Sequence, residues 1–209
     1  MLIHDPAFDI ATIDALEVMF GAPGEASLLK ERDHIDASYR ALIEASPFLA
    51  LATCGPHGMD CSPRGDPRGL VRVRDEKTII LPDRRGNNRL DSLRNVVHNP
   101  QLALLFLIPG LGETVRVNGR AVISADPALL AEYEMDGKLP KVALVITVDA
   151  VYFQCSRAVL RAELWNPARH ADPSTLPTPG RILAEASASR IDAARYDREL
   201  AGRIKDSLY

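Results

Sequence analysis

Leu81-Pro82-Asp83-Arg84-Arg85-Gly86-Asn87-Asn88-Arg89-Leu90-Asp91-Ser92-Leu93-Arg94-Asn95-Val96-Val97-His98-Asn99 is the stretch around which the chain is organised. A β run, Thr78 to Leu81, stops at Pro82. A turn follows, with Arg84, Arg85, Gly86, Asn87 and Asn88. A helical pattern then places Leu90, Leu93, Val96 and Val97 on one face and ends near Asn99-Pro100. The arginines therefore sit between a strand and a helix N-terminus. Such a terminus presents unpaired N–H groups and a partial positive charge, which suit a phosphate. Arg84, Arg85 and Arg89 add forked donors that fit phosphate oxygens. On the loop alone, a solvated basic turn and a phosphate seat both remain open. The chain as a whole is acidic, with a formal net charge of -3. A local basic knot on an acidic protein suits a small anionic ligand better than nucleic acid.

Outward from this stretch the pattern is β. Upstream, Phe48 to Thr53 is a near-continuous apolar strand, Cys54 to Gly58 a turn, and Met59 to Pro63 the returning strand of a hairpin. Ser62 to Gly69 reads as a loop whose glycines permit close backbone approach. Downstream, Gln101 to Ile108 is a buried strand and Pro109 to Gly112 a turn. Glu113 to Ser124 alternates Val115 and Val117 with Arg116 and Asn118, as a half-buried strand does, and Gly119 marks a bulge. Asp126-Pro127 opens a short helix with Leu129, Leu130 and Tyr133. Lys141 to Gln154 is the last long strand. These runs make about six strands, largely antiparallel. The sequence contains no GxGxxG and no GxxxxGK[ST], and strands and helices do not alternate throughout. The expectation is a mainly β fold with flanking helices: a small six-stranded antiparallel split β-barrel.

Both ends read as helical. In residues 1–45, one helix spans Thr12 to Phe20 and a second follows Asp33 through Ala45, both expected to pack on the core. Cys155 to Trp165 is one or two helical turns. Residues 166–179 carry four prolines and read as an extended arm, and Gly180 to Tyr209 as two helices with a thin apolar face that needs a partner surface. The expected organisation is an N-terminal helical extension over residues 1–45, a barrel over 46–165, and a C-terminal arm with helices over 166–209.

Hydrophobic content of 46% and charged content of 25% are ordinary for a soluble globular protein. No apolar run approaches the roughly 18 residues that span a membrane, and the first residues lack the pattern of a secretory signal. Cys54, Cys61 and Cys155 are odd in number and lack framework spacing, which points to the cytoplasm. Cys54, His57 and Cys61 have the spacing Cys-x2-His-x3-Cys but no fourth ligand nearby, so no metal is expected. No GxSxG elbow is present. Cys155 reads as a packing residue and Trp165 as a core or interface anchor. The two arginine-rich loops, Arg64 to Arg74 and Arg84 to Arg94, are flanked by strands that should neighbour one another in a barrel. With Ser62, Asp66 and the Thr114-Arg116-Asn118 strand they supply donors for a phosphate and polar edges for a larger ring.

The segments FLALATCGPHGMDCSPRGD, TIILPDRRGNNRLDSLRNVVHNPQLALLFLIPG and GETVRVNGRAVIS together resemble the pyridoxamine 5'-phosphate oxidase-like, FMN-binding split-barrel family, over roughly residues 46 to 165. The resemblance implies a homodimer with FMN in a cleft at the subunit interface. It implies a phosphate held by Arg84, Arg85, Asn87, Asn88 and Arg89. It places Ser62, Arg64, Gly65 and Asp66 along the isoalloxazine, and Glu113, Thr114 and Arg116 against ring or ribityl. The chain departs from pyridoxamine-phosphate oxidases in three places. The turn reads Asn-Asn-Arg where those enzymes show Arg-Lys. Thr114 stands near their glutamine, and Leu164-Trp165-Asn166 stands in the region of their Arg-Leu signature. These departures touch a pyridoxal-type substrate more than FMN.

The implied activity is that of an FMN-dependent oxidoreductase acting on a small molecule. The flavin would carry the redox chemistry, Arg64 or a backbone N–H near Gly65 would stabilise charge on the reduced ring, and no catalytic side chain is assigned. The rival readings are a non-enzymatic flavin or haem binder or sensor on the same barrel, and a deazaflavin-dependent reductase.

Overall fold

The computed structural model describes residues 4–67 and 70–209. Arg68 and Gly69, within the first arginine-rich loop, lie outside the described residues, as do Met1 to Ile3.

Seven strands form one antiparallel sheet: β1 (Phe48–Gly55), β2 (Gly58–Gly65), β3 (Arg72–Asp75), β4 (Thr78–Asp83), β5 (Gln101–Leu107), β6 (Thr114–Ser124) and β7 (Val142–Gln154). Their order is β2-β1-β5-β6-β7-β4-β3. Leu49 and Leu51 from β1, Leu104 and Phe106 from β5, Val115 and Val117 from β6, Ile146 and Val151 from β7, and Ile79 and Leu81 from β4 all join one core cluster. Side chains from one face of five neighbouring strands can share one cluster only if the sheet curls around it. The result is a split β-barrel.

The sequence count of six strands needs one addition. β3 was read as part of an arginine-rich loop, yet Val73 is buried while Arg72 and Arg74 reach outward to Glu132. A short edge strand with charged outer positions suits an edge that must not pair further. β2 also extends beyond the expected Pro63, so Arg64 and Gly65 are strand rather than loop. The register shift between Asn118 and Gly119 is the anticipated bulge. Gly119 is needed there, because a Cβ would meet the Thr147 carbonyl oxygen.

The helices are α1 (Ile13–Phe20), α2 (Glu25–Leu29), α3 (Ala37–Ala45), α4 (Asp91–His98), α5 (Pro127–Ala131), α6 (Arg157–Arg161), α7 (Pro179–Ala186) and α8 (Ala193–Asp206). α3 packs Tyr39 and Ile43 into the core, and its cap is Asp36, whose carboxylate accepts from Tyr39 N at 2.9 Å. α1 buries nothing, contrary to the expectation that both N-terminal helices pack on the core. Its spacing mixes apolar residues around the helix, and Val18 and Phe20 stay exposed. α4 packs Val96 against the barrel, while Val97 points to solvent. Asp126 caps α5 with Pro127 at its start, as the sequence indicated. The expected extended arm contains two short 3-10 turns, Pro167–Arg169 and Pro173–Thr175.

Candidate functional site

α4 starts where the sequence placed a phosphate seat. Its N-cap position is Leu90, in the left-handed conformation at φ 62, and no side chain caps the helix. A helix normally begins with a Ser, Thr, Asp or Asn oxygen on these N–H groups. Here the first turn is left to solvent or to a ligand. Asn88, also at positive φ, and Asn87, whose Oδ1 accepts from Arg89 N at 3.0 Å, shape the approach. Asn tolerates the left-handed region better than most residues.

The three arginines of the turn have different surroundings. Arg84 follows β4 directly and is largely buried. Its Nε donates to Asp66 Oδ2 at 2.8 Å and its Nη1 to the Tyr133 carbonyl at 2.5 Å. The Asp66 side chain is only 1% exposed, so this is an ion pair in a low-dielectric setting. Arg85 is exposed and has no hydrogen bond or ion pair among the described residues. Arg89 pairs with Asp91 at 2.7 Å, but the two side chains are 74% and 39% exposed. A pair so open to water is screened by solvent and yields readily to a better anion. The sequence reading treated the three alike. The structure commits Arg84 to Asp66 and leaves Arg85 and Arg89 available.

On β2, Asp60, Ser62 and Arg64 alternate toward one face. Ser62 Oγ and Ser92 Oγ both donate to Asp60 Oδ2, at 2.8 and 2.6 Å. Arg64 reaches Ser92 Oγ at 3.3 Å and Asp83 Oδ1 at 3.7 Å. Burial raises the Asp83 pKa above the usual carboxylate range, and the Arg64 charge pulls it back. Ser92, on the first turn of α4, ties β2 to the basic turn. Asp60, Asp83 and Ser92 were not singled out from sequence. The period-two spacing is the signal for the first of them: the expected strand Met59 to Pro63 carries Asp60 on the same face as Ser62.

Register divides the strand residues among the sequence-indicated positions, Ser62, Arg64, Gly65, Thr114 and Arg116, between two faces. Arg64 pairs with Leu49, Leu49 with Phe106 and Phe106 with Val115, and all three partners are core residues. Directly opposed residues share a face. Arg64 and Ser62 thus stand on the inner side of β2, next to α4. Arg116 pairs with Leu105, Leu105 with Ala50 and Ala50 with Pro63, the outward set. Arg116 is exposed and donates to Tyr152 Oη at 2.9 Å. Thr114 shares its face, and Glu113, half-exposed, precedes the strand. Gly65 is on the outer face, and Asp66 lies beyond the end of β2 with its N donating to the Pro47 carbonyl at 3.0 Å. The inner set with the basic turn and the outer set with Thr114 and Arg116 are therefore not brought together within one copy of the chain.

Two cavities border these sets. One, of about 310 Å³, lies on the outer face against Ala52, Cys54, Ala103, Asn118 and Asp149. The other, of about 380 Å³, lies between Gly110, Gly112, Leu160, Leu164 and Trp165, next to Glu113. Trp165 Nε1 donates to the Leu111 carbonyl at 2.7 Å, so the tryptophan anchors the loop before β6. Cys54, Cys61 and Cys155 are free thiols. Among the described residues no group of His, Cys, Asp or Glu is placed to hold a metal ion, and no helix is long and apolar enough to cross a membrane.

A family model described as pyridoxamine 5'-phosphate oxidase matches residues 35–155, more than half of the chain. No curated protein matches the sequence. Among solved structures, HupZ from Group A Streptococcus is 20% identical with a TM-score of 0.48, over 58% of this chain and 95% of that one. An FMN-binding protein from Syntrophomonas wolfei is 16% identical with a TM-score of 0.45, over 67% and 91%. General stress protein 26 from Bacillus anthracis is 15% identical with a TM-score of 0.42, over 54% and 88%.

Proposed function

The chain belongs to the pyridoxamine 5'-phosphate oxidase family, and from that premise we propose that it is an FMN-binding flavoprotein acting as an oxidoreductase on a small molecule. The observation that carries this reading is the start of α4: a helix N-terminus with no side-chain cap, flanked by the exposed Arg85 and the loosely paired Arg89. Unsatisfied N–H groups and two exposed guanidinium groups form a donor set for a terminal phosphate. The residues present fit the group. Arg85, Arg89, Asn87 and the first N–H groups of α4 would hold the phosphate, and Arg64, beside Ser62 on the inner face, would supply donors further along β2.

A bound flavin would supply hydride transfer. The chain's own part is to hold and orient the group and to set its electrostatic surroundings. Arg64 is the cation on the inner face of β2, and its charge opposes any negative charge that develops beside it.

The expected affinity difference is large. Charged hydrogen bonds contribute about 1.5–3 kcal/mol each, so losing two with the phosphate should cost about a hundredfold or more. Titration of FMN and of riboflavin by fluorescence quenching checks this. Equal affinities would place the phosphate outside the protein's grip and refute the reading.

The division of the site between two faces supports a second element of the proposal, a homodimer with the flavin at the subunit interface. One copy presents the basic turn and another brings Thr114 and Arg116. The protein should sediment as a dimer at micromolar concentration with FMN present. A monomer that still binds FMN tightly would rule the shared site out.

A further inference from the structure

Among the described residues, the C-terminal hairpin is hydrogen-bonded to the barrel at one point. α7 and α8 pack closely on each other: Gly180 N donates to Asp197 Oδ1 at 2.8 Å, and a Cβ on Gly180 would collide with the Ala193 carbonyl. Ser187 Oγ accepts from Ile191 N at 3.1 Å and closes the connection between them. Among the described residues, a single hydrogen bond links residues 171–209 to the rest of the chain. Tyr209 Oη donates to Asp66 Oδ1 at 2.9 Å, across 143 positions of sequence.

That contact falls on the pair that fixes the basic turn. One Asp66 oxygen receives Tyr209 and the other receives Arg84 Nε. The Arg84 guanidinium carbon lies 5.8 Å from the centre of the Tyr209 ring. Arg84 is thus held by a carboxylate, a carbonyl and an aromatic face, and Arg85 follows it directly. Burial, and then the hydrogen bond to Asp66, raise the Tyr209 pKa, so the hydroxyl remains a donor well above neutral pH.

We propose that Tyr209 is a positioning residue for the basic turn: by holding Asp66 against Arg84 it clamps the turn in the shape that presents Arg85, Arg89 and the start of α4 to a phosphate. The hairpin is then the strap that carries the clamp. The inference rests on the FMN reading of the turn for its ligand-binding consequence, and on the contact alone for the clamp.

The test is Tyr209→Phe, which keeps the ring and removes the hydroxyl, beside Tyr209→Ala, which removes both. In protein without flavin, protease cleavage within residues 171–209 should be severalfold faster in Tyr209→Phe. FMN should dissociate about five- to tenfold faster, since a hydrogen bond to a charged group is lost. Riboflavin affinity should not change, because the clamp acts through the phosphate turn, and Tyr209→Ala should show the larger effect throughout. Unchanged protease and FMN release rates in both variants would overturn the proposal. So would equal weakening of FMN and riboflavin, which marks general loosening of the fold. If the parent binds neither flavin, the cofactor reading fails on its own. The protease rate then decides the clamp, faster cleavage supporting it and parental cleavage overturning it.

Discussion

Replacing Asp66 by alanine should cost the fold about 3–5 kcal/mol, because it leaves the Arg84 charge buried without a partner. The Asp66 side chain is 1% exposed and that of Arg84 15%. Water is largely excluded from the pair, so the loss is not softened by solvent screening as it would be at the surface. In a chain of this length such a loss lowers the melting temperature by on the order of 10 °C. Asp66→Asn retains the volume and an acceptor for Arg84, and should fall between the parent and Asp66→Ala. Thermal and denaturant unfolding of the three proteins decides the matter. A melting temperature for Asp66→Ala within a degree or two of the parent would mean that the pair is open to solvent and that Arg84 is available to a ligand after all.

The second large effect is a division among arginines that look equivalent in the sequence. Arg85→Ala should weaken FMN by roughly tenfold or more while leaving stability within about 0.5 kcal/mol, since the side chain is exposed and unpaired among the described residues. Arg89→Ala should weaken FMN similarly and release only a solvent-exposed partner, Asp91. Arg84→Ala should act mainly on the fold, because it strands the Asp66 carboxylate in a buried position. Arg94, exposed on the far side of the first turn of α4, should matter least. Flavin titrations and melting curves on the four single variants separate the two kinds of effect. If Arg85→Ala and Arg89→Ala bind FMN as the parent does, the phosphate is held elsewhere.

Much of the barrel was legible because its strands carry their own signal. Val115 and Val117 alternate with Arg116 and Asn118, and all four take the sides that a period of two assigns them. β1 and β5 read as buried because their apolar runs are continuous and end at turn residues. The strand-to-helix turn was legible from Pro82 and the helical spacing after Asn88. β3 was hidden because its outward positions are arginines, which at an edge serve the sheet and in a sequence imitate a loop. α1 misled in the opposite direction. Its apolar residues suggested burial, but they are spread around the helix, and one chain offers them no surface.

The sequence by itself determined where most of the strands, helices and turns lie, though not β3, and that a basic turn opens onto a helix N-terminus. Those features depend on residues close together in the chain, through φ/ψ preference and side-chain period, whereas Leu90, expected on the apolar face of the helix, takes the uncapped N-cap position only in the structure. The tertiary structure alone decided what each arginine does. Asp66 stands 18 positions from Arg84 and 143 from Tyr209. The strength of their contacts is set by a burial that exists only once β2, β4 and the C-terminal hairpin have met. Register decided the rest. A period of two shows which residues of a strand share a face, but only the pairing of Arg64 with Leu49, and of Arg116 with Leu105, shows that the two arginines stand on opposite sides of one sheet.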